Sequence, residues 1–391
     1  MSAAEAVFWL ATLALGYTWV GYPLALAAIA WLSPPPARSR TARPRLSVIV
    51  AAHNEAHCIE AKIASTLGQR YPADHLEVIV VSDGSTDGTD DLVLARCDPR
   101  VRLIRQEPRA GKSAALNRAV AAASGEVLVF TDANALFAPD ALPRLASLFA
   151  DPRVGLVTGQ GLYVADAGGN DARVVASAYV RYEELVRRGE SALGFLASAD
   201  GAIYALRTDV WRPLHPAEVN DLLHPVQAAL DGFTCRFEPL AVTVEPPSRD
   251  ATQEFRRHVR IIAQGIAVTV RALPRLAAAG RWRAVWALLS HRVLRWTGSA
   301  YLLAALGSSL ALAGTGPWYG AALAAQLLFY GLAAAGLVAE RRGVRLGPLA
   351  APYYFCVVSA AGIAAVVRYA RGGADATWAP TSSASVRNEA A

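Results

Sequence analysis

The chain of 391 residues has four cysteines and one methionine, and the cysteines, Cys58, Cys97, Cys235 and Cys356, show neither C-x-x-C nor zinc-ligand spacing. A disulfide scaffold and a cysteine-built metal centre are therefore excluded, and the thiols read as free in a reducing compartment or in lipid. Lysine is almost absent: Lys62 and Lys112 stand against a combined Lys+Arg count of 38. This arginine bias, with abundant alanine, marks a GC-rich bacterial genome and not a function. A basic stripe with interleaved aromatics is also missing, so the formal charge of +6 gives no nucleic-acid partner. Charge of either sign is absent from residues 6–32, 296–339 and 346–367. Each run exceeds or matches the roughly 20 residues that cross a bilayer core. With 54% hydrophobic residues and a mean hydropathy of +0.28, a purely soluble protein is excluded, and membrane lipids are expected partners.

Residues 1–40 read as an anchor and a basic linker. Glu5 stands where a secretory signal would carry its basic region, so the anchor reads as retained. Pro34, Pro35 and Pro36 lead to Arg38, Arg40, Arg43 and Arg45, which favour the cytosolic side. Residues 41–250 form the next unit. Apolar β-branched runs at 46–50, 76–81, 101–104 and 127–130 alternate with helical stretches, which predicts an α/β domain on a largely parallel sheet. A helix is expected around 174–188. Residues 251–295 mix Arg256, Arg257, Arg260, Arg271 and Arg275 with Val259, Ile261, Ile262, Ile266 and Leu273, the pattern of amphipathic helices at a membrane surface. Residues 296–391 hold two charge-free spans split at Gly314-Thr315-Gly316-Pro317, a third at 346–367, and the tail. Arg341, Arg342 and Arg345 favour the inside, and so do Arg368 and Arg371, which conflicts with one span before the domain and three after it. One apolar segment is then re-entrant or interfacial, or span number overrides the arginines.

Chemistry concentrates at strand ends. Val80-Val81-Ser82-Asp83-Gly84-Ser85 puts a carboxylate where open α/β sheets bind ligands, although Asp also serves as a turn or cap residue there. In Phe130-Thr131-Asp132-Ala133-Asn134, the oxygens of Asp132 and Asn134 fall at i and i+2, on one face of extended chain. That spacing suits one hard divalent cation bridging a diphosphate, or simply a strand-end turn. Between them, Gly111-Lys112 opens a helix, a position suited to phosphate but lacking the first glycine of a P-loop.

Together, Ser47 to Glu55 with His53-Asn54-Glu55, Ser82-Asp83-Gly84-Ser85, Gly111-Lys112 with Ala115-Leu116-Asn117, and Thr131-Asp132-Ala133-Asn134 resemble the ordered motifs of glycosyltransferase family 2. The resemblance covers roughly residues 45–265, and the flanking apolar runs resemble its membrane-bound branch, which includes cellulose, hyaluronan and poly-N-acetylglucosamine synthases. It implies a GT-A fold (a Rossmann-like mixed sheet) carrying transmembrane helices, an inverting mechanism, and a nucleotide-sugar donor, UDP-sugar by preference, with Mg²⁺ or Mn²⁺. On that resemblance His53, Glu55, Asp83 and Lys112 line the nucleotide site, Asp132 and Asn134 hold the metal, and Asp221 in Asn220-Asp221-Leu222 is the catalytic base. Asn134 and Asn220 replace acids of the family pattern, and a helix cap is the competing reading of Asp221. Asp200-Gly201 resembles the segment that lines the donor or acceptor sugar. Gln253, Arg256 and Arg257 resemble Q-x-x-R-W, with Arg257 in place of the tryptophan.

The expected function is synthesis of a β-linked surface polysaccharide or oligosaccharide on a glycan acceptor, by a multi-pass protein of the bacterial inner membrane with its catalytic domain cytosolic. The alternative is addition of one sugar to a lipid acceptor, a polyprenyl phosphate or diacylglycerol, which the missing tryptophan favours.

Overall fold

The computed structural model describes residues 1–39, 41–163, 170–245, 251–344 and 346–372. Arg40 and Arg345 of the expected basic loops lie outside the described residues, as do the side chains of residues 251–254, Gln253 among them.

Among the described residues, eight strands form one sheet: β1 (Leu46–Ala52), β2 (Leu76–Asp83), β3 (Val101–Gln106), β4 (Val127–Asp132), β5 (Leu136–Phe137), β6 (Val154–Tyr163), β7 (Tyr204–Arg207) and β8 (Thr234–Glu245). Their spatial order is β3-β2-β1-β4-β7-β6-β8-β5. The first four are mutually parallel, β7 runs antiparallel to both neighbours, and β6 and β8 are parallel. Every residue of β1 is buried, as expected where helices cover both faces of a parallel sheet and the strand reads as a continuous apolar run. Strand order turns at β1, whose successor β2 lies on one side and β4 on the other. The loops after β1, β2 and β4 therefore converge on the crevice at that switch point.

Helix Ala3–Leu32, with one π-helical turn at Tyr17–Gly21, docks on the domain through its second half. Leu26 lies so close to Gly189 of helix Asn170–Leu193 that a Cβ there would fall 2.4 Å from the Leu26 Cβ. Beside it, Tyr22 Oη donates to Glu190 at 2.8 Å and His291 Nδ1 lies 2.6 Å from the same carboxylate. His291 belongs to a second π-helical turn, Leu288–Val293. The two turns meet where the Tyr17 and Ser290 hydroxyls lie 2.7 Å apart. The anchor is thus bonded to the domain by polar contacts that apolar periodicity does not reveal.

Among the described residues, four helices are long and apolar enough to cross a membrane: Ala3–Leu32, Phe255–Ala278, Pro317–Arg341 and Gly347–Ala370. The segment read as interfacial is one helix, Ala251–Ala278, followed by another over residues 282–296. The expected pair of spans appears as Gly298–Leu312 and Pro317–Arg341. The last apolar run lies along helix Ala251–Ala278, with Ala361 and Ala365 packed on Ile262 and Ala263.

Candidate active site

Asp83 ends β2 fully buried, and its carboxylate accepts hydrogen bonds from Gln106 Nε2 (2.6 Å), the Ala110 amide (2.8 Å) and the Gly111 amide (3.0 Å). Arg109 Nε lies 3.6 Å away. The capping reading fails, since these oxygens are committed to the 109–111 loop and not to the following helix. Gly111, at φ +92° and ψ 168°, adopts a backbone conformation that favours glycine, and its amide is one of those that donate to Asp83. His53 Nδ1 lies 2.8 Å from the Asp83 carbonyl, which can only accept, so this nitrogen carries the proton.

Lys112 opens helix Lys112–Ala121 and reaches Asp132 Oδ1 at 2.6 Å. Burial works to raise the Asp132 pKa, but Lys112, with Arg257 and Lys62 behind it, carries the net effect below the usual carboxylate range. Asn134 is half-buried in the turn that follows β4. Asn117 of the same helix clamps the segment leading to Asp221, exchanging hydrogen bonds with the Leu214 backbone at 2.8 and 2.9 Å.

Asp221 lies in the first turn of helix Asn220–Leu230, whose N-cap is Val219, and no side chain caps it. The cap reading therefore does not account for Asp221. Its Oδ1 is buried with no hydrogen-bond partner, and a Cβ on Gly201 would lie 3.2 Å from its Oδ2. Burial raises its pKa, and the charges of Asp132 and Asp200 push the same way against Lys112 and Arg292. Asn220, where the family pattern has an acid, is buried and donates to Tyr204 Oη at 2.5 Å. Asp200 is held by Arg187 at 2.9 Å and by the Gly161 amide at 3.0 Å.

Sequence reading missed two groups. Lys62 is fully buried beneath the Asp132 turn, donating to Thr131 Oγ1 at 2.6 Å and to the Ala135 carbonyl. Burial lowers its pKa to about 7. Its only signal was scarcity, one of two lysines in the chain. Glu245, buried at the end of β8, is pushed up to about 8 by burial and by Asp132 and Asp200, and Glu55 to about 7 by burial, Asp132 and Asp87. Among the expected membrane-proximal residues, Arg257 acts electrostatically on Asp132 and Glu245, whereas Arg256 is exposed on another face of the helix. Residues one apart on a helix do not share a face, so Arg256 and Arg257 point to different sides of it.

The charges of Asp132 and Asp200 push up the pKa values of Asp221 and Glu245, Asp132 does the same to Glu55, and an ammonium already sits against Asp132. Such an excess of hard oxygen donors fits a divalent cation of the Mg²⁺ or Mn²⁺ kind.

Crevice, carboxylates and parallel-then-mixed sheet define a transferase of the GT-A type. Residues 47–201 match the family model Glycosyl transferase family 2. The probable glycosyltransferase YdaM of Bacillus subtilis is 28% identical over 212 residues, 52% of this chain and 50% of that protein. A β-monoglucosyldiacylglycerol synthase of Nostoc is 36% identical over 119 residues, 29% of this chain and 25% of that one. The mannosyltransferase PcManGT of Pyrobaculum calidifontis, solved with GDP-Man and Mn²⁺, superposes with a TM-score of 0.68 at 27% identity, covering 94% of this chain and 99% of that one. Residues 47–201 thus form a glycosyltransferase family 2 domain. The chain spans about half the length of the first of these curated relatives and a quarter of the second.

Proposed function

We propose that this protein transfers a hexose from a nucleotide-diphosphate sugar to an acceptor hydroxyl at the cytosolic membrane surface, inverting the anomeric centre. The observation that carries the proposal is the unpartnered, buried Oδ1 of Asp221 in the crevice that also holds Asp132 and Lys112. Asp221 takes the acceptor proton as that oxygen attacks, and its raised pKa makes it a better base than an exposed aspartate. Asp132 and Asn134 would hold the divalent cation, which supplies charge neutralisation for the departing diphosphate when bound. Lys112 and Arg257 stand on the same side for the phosphates, and His53, Glu55 and the Asp83-braced loop form the nucleotide wall.

Single-sugar addition to a lipid is the acceptor reading we favour over polymer synthesis. Arg257 stands where a sugar-stacking tryptophan would serve chain elongation, and relatives that include diacylglycerol glucosyltransferases support the choice. Placing Arg368 beside Arg260, on the catalytic side, also favours an interfacial last helix and a cytosolic tail. The test is nucleotide release from a panel of UDP- and GDP-hexoses with Mg²⁺ or Mn²⁺, followed by mass analysis of products. Release with none of them would refute the activity, and polymeric products would refute single addition.

A further inference from the structure

A cavity of about 380 Å³ lies between helix Ala251–Ala278 and the last two helices, lined by Phe255, His258, Leu337, Tyr354, Val357 and Val358 among others. The volume is within the roughly 300–1,000 Å³ of ordinary ligand pockets. Its walls are mainly apolar, with His258, Glu340 and Arg341 as the polar groups. Leu337, Tyr354 and Val358 are 37, 39 and 44% exposed, so the residues that line the cavity also stand on the apolar surface of the membrane helices. An occupant therefore comes from the bilayer. The same helix presents Arg257, one residue before His258, toward Asp132 and Glu245. One helix thus lines the cavity with Phe255 and His258 and faces the crevice with Arg257.

We propose that this cavity seats the hydrocarbon chain of the acceptor, a hydroxyl-bearing membrane lipid of the diacylglycerol type. The proposal rests on the lipid-acceptor reading above. A hydroxyl lipid is preferred over a lipid phosphate because Asp221 provides a base, which a hydroxyl nucleophile needs and an already ionised phosphate does not. The arginines at 257 and 260 then remain for the donor diphosphate.

The experiment uses the full chain in nanodiscs, with dioctanoylglycerol, undecaprenyl phosphate and a soluble disaccharide as separate acceptors. Val358→Trp fills the cavity from its exposed side, and Val357→Phe is the second variant should the first fold poorly. With dioctanoylglycerol, KM should rise about tenfold or more, as for a crowded hydrophobic subsite, while kcat at saturation and acceptor-free nucleotide release hold within about twofold. An unchanged KM in both folded variants overturns the cavity assignment while leaving lipid transfer intact. Transfer by the wild type only to undecaprenyl phosphate overturns the hydroxyl-lipid assignment. Transfer only to the disaccharide overturns the lipid reading itself.

Discussion

Replacing Lys62 with methionine separates what this buried lysine does for stability from what it does for the site. The ammonium is fully buried, donates to Thr131 and Ala135, and lies 3.6 Å from the Phe137 ring centroid. Burial moves its pKa from 10.5 to about 7. At about 1.4 kcal/mol per unit, keeping it charged costs on the order of 5 kcal/mol. Removing it strands the buried Ala135 carbonyl at about 1–3 kcal/mol and forfeits the ring contact at up to about 2. Thr131 still donates to the Ala202 carbonyl at 2.8 Å. The terms nearly cancel, so Lys62→Met should leave stability near neutral pH within about 2 kcal/mol of the wild type. Activity should fall by roughly 10², because Lys62 ties the turn that carries Asp132 and Asn134. The sign of the pH dependence follows from a depressed lysine pKa. Between about 7 and 10.5 the unfolded chain binds the extra proton, so the wild type gains stability as pH rises. Denaturant melts at pH 7 and 8.5 should show the wild-type advantage growing by about 2 kcal/mol. An advantage that stays flat with pH, or a variant of full activity, would refute the reasoning.

Two further outcomes follow. Asp83→Asn presents an amide to the Ala110 and Gly111 N–H groups, so it should raise the donor KM at least about tenfold, measured by steady-state nucleotide release, while the β2 core stays folded. Divalent-cation affinity should increase toward pH 8 by up to about tenfold per pH unit for each proton released, because the folded Glu55 and Glu245, at about 7 and about 8, must lose protons for the cation to bind. Calorimetric Mn²⁺ titrations at pH 6.5 and 8 check it, and equal affinities would count against the shared carboxylate field.

Three of the four parallel strands, β1, β2 and β4, were legible because they are buried on both faces and read as apolar runs, with Asp83 and Asp132 falling at the strand ends as the motifs implied. Asp221 was located through family resemblance, since local chemistry alone equally allows a helix cap. What escaped was contributed by distant chain: Lys62 meets Thr131 across the core, and Glu245 meets Asp200 and Asp132 only after β8 is seated. Apolar runs marked the membrane helices, but whether one crosses or lies flat depends on partners, and Ala361 finds Ile262 only in three dimensions.

The central claim is that Asp221 accepts the proton of the attacking hydroxyl. Asp221→Asn keeps the side-chain volume and the Ala199 amide bond to the Asp221 carbonyl, 2.7 Å long, while removing the base. Sugar transfer by purified variant, followed as acceptor-dependent nucleotide release, should drop by about 10² or more with donor affinity unchanged. Transfer at the wild-type rate would contradict the account.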